Sequence, residues 1–151
     1  MAADPLCRPL RRDGVVRAPW ERSAGVLLID QRGWIMLQLR DANGAYPDHW
    51  ATVGGKVESG ESDEQAARRE LREETGYVAG PLAWGAAVAL TLPDGTPRVA
   101  TLFYARYDGV QPIACHEGRA IEFVDPATLD SLLIYPGQEE LIRRAIVASS
   151  R

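Results

Sequence analysis

The segment 23–30 constrains the fold of this chain more than any other part of the sequence. Its apolar residues follow one another without alternation, which is typical of a strand that is buried on both faces of a sheet. The segment Trp34–Arg40 alternates instead, with Gln38 and Arg40 set against leucines, and it predicts a second strand after a tight turn. Along the rest of the chain, segments with a strand pattern and segments with a helix pattern follow one another, so we expect one α/β unit.

Three helices and three further strands are predicted beyond these two. Ser62 and Gln65 form a capping box and Gly76 suits a helix C-terminal end, so one helix is expected over Asp63–Thr75. The other predicted elements are a short helix opened by Asp125-Pro126, a longer helix over Pro136–Ser149, and the strands Trp84–Leu92, Val99–Tyr107 and Ala120–Val124. A turn at Pro93–Thr96 joins the first two of these strands.

Length and composition predict one globular domain. The chain has 151 residues, of which 46% are hydrophobic and 25% charged. We divide it into a basic N-terminal arm at 1–22, which is either solvated or a phosphate-attracting rim or subunit contact, and a domain at 23–151. A net charge of −4 disfavours nucleic acid as a partner, and no apolar run approaches the ~20 residues that a membrane helix needs.

The cysteines and the first 20 residues bear on the cellular location. Cys7 and Cys115 form no metal-binding or redox motif, and the first 20 residues lack the apolar core of a signal peptide. We therefore expect a cytoplasmic protein with free thiols. A homodimer is left open.

Three carboxylates share one face of the predicted helix 63–75. Glu70, Glu73 and Glu74 lie at i, i+3 and i+4, where like charges repel unless a cation lies among them. Carboxylate oxygens are the ligands that Mg²⁺ and Mn²⁺ take. The alternative is a solvated acidic face, which is the usual role of a run of charges.

The surroundings of these glutamates favour the metal site. Arg69 stands four residues before Glu73 and can pair with it. The double glycine Gly54-Gly55 is expected to form a loop whose backbone carbonyls can approach a ligand, because no side chains stand in the way.

The segment from Gly55 to Gly76 resembles the Nudix box. After the glycine come five residues, Glu61, seven residues, and then Arg-Glu-Leu-x-Glu-Glu-x-Gly beginning at Arg69, so every fixed position matches. The closing aliphatic position holds Tyr77, which is a mild departure. The likeness is to the small single-domain pyrophosphohydrolases of the MutT type. It implies an α/β/α sandwich with a mixed sheet between helices, and a structural role for Glu61.

The resemblance also implies a reaction and its residues. The reaction is metal-dependent hydrolysis of a pyrophosphate bond in a nucleoside diphosphate linked to another group. The resemblance implies that Glu70, Glu73 and Glu74 bind the catalytic metal ion, with the carbonyl of Gly54 as a further ligand. Arg69 would orient these carboxylates. Mg²⁺ is the expected cofactor, with Mn²⁺ as the alternative, and the expected partner is a nucleotide-type small molecule.

Candidates also lie outside the box. Arg40 resembles an arginine that contacts substrate in MutT-type relatives, although an ordinary surface arginine is an equal alternative. The resemblance also implies one more carboxylate from the region of the last strand, as a metal ligand or general base, and the candidates are Glu117 and Glu122. We favour Glu117, because it lies in a glycine-containing loop that can swing toward substrate. Phe123 should face the packed helix layer, which would turn Glu122 to the other face.

Three classes of function remain open at this point. The first is a pyrophosphohydrolase acting on a nucleoside triphosphate, oxidised or non-standard ones included, with a nucleotide sugar or dinucleoside polyphosphate as the alternative substrate. The second is an isomerase of the same fold, which is disfavoured because segment 41–54 contains no cysteine. The third is a non-catalytic Nudix module that only binds a nucleotide, which is disfavoured because the box is complete.

Overall fold

The computed structural model describes residues 7–10, 20–92 and 94–151. Most of the basic arm and Pro93 of the predicted turn lie outside these residues. In chain order, the elements are β1 (Cys7–Leu10), β2 (Glu21–Ile29), β3 (Ile35–Leu39), β4 (Trp50–Ala51), β5 (Val53–Lys56), α1 (Asp63–Thr75), β6 (Ala83–Thr91), β7 (Pro97–Arg106), β8 (Ala120–Val124), a 3₁₀ helix (Pro126–Ser131) and α2 (Gln138–Ser149).

The strands form one mixed sheet. Its order is β1-β6-β7-β2-β3-β4, with β5 paired to β2 and β8 paired to β3. Strands β2 and β7 run parallel over the whole of β2, and the other pairs of strands are antiparallel. The predicted hairpin is present as β6 and β7.

The sheet divides where β2 and β3 diverge. These two strands pair only at Ile29 and Ile35, while β5 pairs with the first half of β2 and β4 pairs with the end of β3. Because only Thr52 separates β4 from β5, segment 50–56 lies in the fork between β2 and β3. A cleft lies at this fork, in the middle of the sheet.

The prediction that the double glycine lies in a loop is wrong. Gly54 and Gly55 belong to β5, where Gly54 pairs with Gly25 of β2. A Cβ atom on Gly54 would lie 2.7 Å from the Cα atom of Gly25, so the two backbones approach too closely for any side chain. Glycine here permits close strand pairing, and an alternation pattern cannot reveal a strand that has no side chains.

Two apolar layers cover the sheet, as the unbroken apolar segment predicts. Along β2, Val26 and Leu28 contact the core under α1, whereas Leu27 and Ile29 contact the core under α2. All four are buried. The α/β/α sandwich with a mixed sheet is therefore confirmed.

Helix α1 has the predicted bounds and caps. The Ser62 hydroxyl accepts a hydrogen bond from Gln65 N at 3.1 Å, and the Gln65 side chain accepts one from Ser62 N at 2.8 Å. Gly76 has φ 76°, a left-handed conformation that glycine adopts without strain, and its N–H donates to Arg72 O. Leu71 lies on the side of α1 that faces the sheet, and it is fully buried there.

Part of the predicted arm belongs to the sheet. Strand β1 pairs antiparallel with β6 from Cys7 and Leu90 to Leu10 and Ala87. The division of the chain at residue 22 stays a prediction. Among the described residues, no helix has the length and apolar character needed to cross a membrane.

Candidate active site

A cleft of about 490 Å³ opens where β2, β5 and β7 meet the beginning of α2. The predicted site residues Arg40, Gly54, Glu74 and Glu117 all line it. They come from the end of β3, from β5, from α1 and from the loop before β8, so the fold collects them from four separate segments.

Glu74 is the most buried carboxyl group of the cleft. Only 4% of the residue is exposed, and its Oε2 atom has no hydrogen-bond partner among the described residues. Burial raises the pKa of Glu74 to about 9, and the nearby carboxyls of Glu117 and Glu70 act in the same direction, while the backbone of Gly54 opposes them. A buried acceptor without a donor is costly, so this atom is suited to a cation.

Glu70 lies against the glycine backbone of β5. A Cβ atom on Gly55 would lie 2.5 Å from Glu70 Cδ, so only glycine leaves room for this carboxylate. Burial raises the pKa of Glu70, although Arg69 counteracts part of that effect. The space beside Gly55 therefore holds the second carboxylate next to Glu74.

Arg69 connects the acidic residues of the box. Its Nη1 donates to Glu70 Oε1 at 2.9 Å and to Glu73 Oε2 at 3.2 Å, while Nε and Nη2 donate to the carboxylate of Glu61. Nη2 also donates to the carbonyl of Lys56 at 3.0 Å, which joins α1 to the end of β5. The predicted pairing of Arg69 with Glu73 is present, and Arg69 orients Glu70 as well.

Glu61 has a structural position, as expected. Its hydrogen bonds to Arg69 lower the pKa of its carboxyl to about 2, and the backbone N–H of Glu58 contributes to the same shift. The Glu61 carboxylate is thus held at the beginning of α1 and away from the cleft, which it does not line.

The acidic residues fit a divalent cation. Their donor atoms are all oxygen, as Mg²⁺ and Mn²⁺ prefer, and within the described parts of the chain the Oε2 of buried Glu74 lacks a partner that a cation would supply. In the part of the chain that the structure describes, no three Asp, Glu, His or Cys side chains are grouped closely enough to hold a metal ion as they stand. Arg69 instead neutralises Glu70 and Glu73, and the carboxylate of Glu73 is exposed.

Glu117 lies beside Glu74, whereas Glu122 does not line the cleft. Ile121 and Phe123 pack toward the core under α1, and Glu122 between them is exposed on the other face of β8, as predicted. Glu117 already lines the cleft, and movement of its loop toward bound substrate stays a prediction. The backbone of this loop is hydrogen bonded to α1 through His116 N and Glu74 O at 2.9 Å, so Glu117 is already held at the cleft.

Arg40 is fixed at one wall of the cleft. Its Nε donates to the carbonyl of Ala45 at 2.9 Å, and its guanidinium lies 4.7 Å from the ring centroid of Tyr135. The ring of Tyr46 packs edge-on against the ring of Tyr135, with 5.1 Å between the two ring centroids. Arg40 is therefore held in place with donors remaining for a ligand, and it is not a loose surface side chain.

Several cleft residues were not singled out from the sequence. They are Gln38, Thr52, Arg98, Tyr135 and Gln138. Gln38 had a visible signal, because it is a polar residue in an apolar strand, yet it is only 6% exposed in the structure. The Gln138 side chain accepts hydrogen bonds from Thr52 N at 2.7 Å and Thr52 Oγ1 at 3.2 Å, and no local pattern could predict this contact across 86 residues.

The comparison with known families decides the classification. The profile of the NUDIX domain matches residues 19–145, which is most of the chain. The chain belongs to the NUDIX domain family. The resemblance of its box to that of the MutT-type pyrophosphohydrolases is thus confirmed, and this family is one of enzymes that generally depend on divalent metals.

Individual relatives of this NUDIX protein agree with that assignment. The nucleoside triphosphatase NudI of Escherichia coli O139:H28 is 44% identical over 50 residues, which are 33% of this chain and 36% of that protein. The match therefore spans about a third of the relative's length.

Solved structures show the same fold over nearly the whole chain. The MutT protein of Methanosarcina mazei Go1 has a TM-score of 0.75 at 21% identity and covers 91% of this chain and 100% of that one. An Ap4A hydrolase of C. elegans has a TM-score of 0.70 at 20% identity and covers 86% of this chain and 98% of that one.

Proposed function

We propose that this NUDIX protein hydrolyses a pyrophosphate bond of nucleoside triphosphates, oxidised or non-standard ones included, with Mg²⁺ as its cofactor. The observation that carries the proposal is the position of Glu74: the residue lines the cleft beside Glu117, and its buried Oε2 has no hydrogen-bond partner among the described residues. A buried carboxyl oxygen without a hydrogen-bond partner costs stability, and a bound cation would supply that partner.

The box residues would hold the cofactor. Glu70, Glu73 and Glu74 would supply carboxylate oxygens, with the carbonyl of Gly54 as a further ligand. A divalent ion held there would supply Lewis-acid polarisation of the phosphates and would lower the pKa of a bound water. Arg69 keeps Glu70 and Glu73 on one side of the helix through its hydrogen bonds to both.

Other residues of the cleft would bind substrate and move a proton. Glu117 is the proposed general base, because its exposed carboxylate lies beside Glu74 and can accept a proton from the attacking water. Arg40 would bind a phosphate oxygen with the donors that Ala45 leaves free. Lys56 and Arg98 also line the cleft and would offset phosphate charge.

A triphosphate is the first choice of substrate because of the sequence relative. NudI is named a nucleoside triphosphatase, and it is the relative with 44% identity over its matching 50 residues. A nucleotide sugar or a dinucleoside polyphosphate is the alternative, and the fold shared with an Ap4A hydrolase is compatible with it.

A substrate panel tests the proposal. Purified protein is incubated with standard and oxidised nucleoside triphosphates, diadenosine tetraphosphate and ADP-ribose, each with Mg²⁺, with Mn²⁺ and with chelator. We expect metal-dependent release of pyrophosphate from triphosphates, slowed by about two orders of magnitude or more in the Glu74→Gln variant. Turnover confined to the other compounds would favour the alternative substrate, and binding without turnover of any compound would show a non-catalytic module.

A further inference from the structure

The loop 114–118 is attached at both ends to elements that carry the proposed site. At its beginning, Ala114 N donates to Thr75 O and His116 N donates to Glu74 O, both at 2.9 Å. Just after it, Arg119 N donates to Leu39 O at 2.9 Å. The loop therefore spans from the last turn of α1 to the end of β3, and it carries Glu117 between these attachments.

Gln38 of β3 makes the contact at the centre of this loop. Its Nε2 donates a 2.6 Å hydrogen bond to the carbonyl of Glu117, and the residue is only 6% exposed. Gly118 has φ 81°, and a Cβ atom there would lie 2.9 Å from Gln38 Cγ and 2.6 Å from Leu39 O. The chain thus turns tightly over the Gln38 side chain, in a conformation that favours glycine.

We propose that Gln38 is a positioning residue that holds Glu117 beside Glu74 in the cleft. A general base must lie within hydrogen-bonding reach of the water it deprotonates. A displacement of the base by about 1 Å can therefore lower the rate of the reaction strongly. The bond from Gln38 holds the peptide group of Glu117 itself, whose carbonyl also accepts a longer hydrogen bond from Cys115 Sγ at 3.2 Å. Gln38 therefore contributes the shorter of two contacts that set where that carboxylate begins. This inference rests on the proposed function, in which Glu117 accepts the proton.

The first test is Gln38→Met, which keeps the length of the side chain and removes its donor. The matched control is Gln111→Met, because Gln111 also donates to a backbone carbonyl, that of Val78, in a loop outside the cleft. With the best nucleotide substrate and saturating Mg²⁺, Gln38→Met should lower kcat about tenfold or more while KM stays within about twofold. The control should change neither. Unchanged kcat in Gln38→Met, or a change only in KM, would overturn the proposal.

A double-mutant cycle separates positioning from general structural damage. If Gln38 acts through Glu117, Gln38→Met should have little further effect on kcat in a Glu117→Gln background. An equal loss of kcat in both backgrounds would show that Gln38 does not act through Glu117.

Hydrogen exchange of the metal-free protein gives a readout that needs no activity. Loss of one hydrogen bond should speed exchange of the His116 and Arg119 amides by about fivefold in Gln38→Met and leave them unchanged in Gln111→Met. Unaltered exchange at both amides would refute the attachment. If the wild-type protein hydrolyses no nucleotide, the proposed function fails, and this exchange measurement still decides whether Gln38 holds the loop.

Discussion

Arg69 of α1 and Glu61, which lies just before this helix, form a bidentate ion pair. The Nε–Oε2 distance is 2.7 Å and the Nη2–Oε1 distance is 3.0 Å. This pair fixes one edge of the guanidinium, and Nη1 is then directed to Glu70 and Glu73. Glu61 is therefore connected to these acidic residues through Arg69.

The ion pair between Glu61 and Arg69 should make the stability of the folded protein depend on pH. The pKa of Glu61 is lowered from 4.5 to about 2, so the carboxylate stabilises the folded protein fully above pH 4.5. This contribution should be lost as the pH falls from about 4.5 to 2. Without metal, the difference in Tm between wild type and Glu61→Gln should be constant above pH 5 and shrink toward pH 2.

A control on the same helix isolates the effect. Among the described residues, Glu64 forms an ion pair only with Arg68, in an exposed i, i+4 contact at 3.4 Å, so Glu64→Gln should change Tm little at any pH. A gap between wild type and Glu61→Gln that persists unchanged at pH 2 would contradict the assignment.

Glu74→Gln should separate activity from stability. The amide keeps the shape of the side chain and removes a carboxyl that burial disfavours in its charged form. Turnover with Mg²⁺ should fall by about two orders of magnitude or more, while Tm in chelator should hold or rise. Kinetic assays and thermal unfolding with and without Mg²⁺ measure both, and normal turnover would remove Glu74 from the site.

Gly55→Ala should displace Glu70 from its place against β5. The new methyl group would lie 2.5 Å from Glu70 Cδ, so the carboxylate must move. We expect affinity for Mn²⁺, measured by titration calorimetry, and kcat each to fall about tenfold or more. Gly80→Ala is the matched control, because a Cβ atom there meets nothing within 4 Å. Equal Mn²⁺ affinity in the two variants would refute the role of this space.

Arg40→Ala should weaken substrate binding more than folding. Loss of a charge-assisted contact to phosphate should raise KM roughly tenfold. Because the guanidinium lies over Tyr135, a stability loss of about 0.5–1 kcal/mol is also expected. Arg40→Lys should recover only part of the KM change, since an ammonium cannot donate as a fork. An unchanged KM in Arg40→Ala would leave only the packing role.

The two carboxylates near β8 should differ in their effect. Glu117→Gln should lower kcat strongly with little change in KM, the pattern of a group that acts in the transition state. Glu122→Gln should be milder, because Glu122 is exposed and does not line the cleft. Both are measured at saturating Mg²⁺, and a larger loss of kcat at Glu122 would reverse the choice.

Features that depend on a few neighbouring residues could be predicted from the chain alone. The capping box at Ser62, the left-handed Gly76 and the shared face of Glu70, Glu73 and Glu74 depend on contacts within about one turn of helix. The unbroken apolar run of β2 likewise predicted a layer on each face, because both sets of alternating side chains need cover.

Contacts between distant segments were decided only by tertiary structure. Glu73 and Glu74 are neighbours in one motif, yet Glu73 is exposed and Glu74 is 4% exposed, since only packing against the sheet and the loop 114–118 determines depth. The bond from Gln38 to Glu117 joins residues 79 apart, and the fork filled by 50–56 depends on three pairings among four strands. No local pattern encodes these contacts, because their energy comes from burial and pairing of segments that meet only in the folded chain.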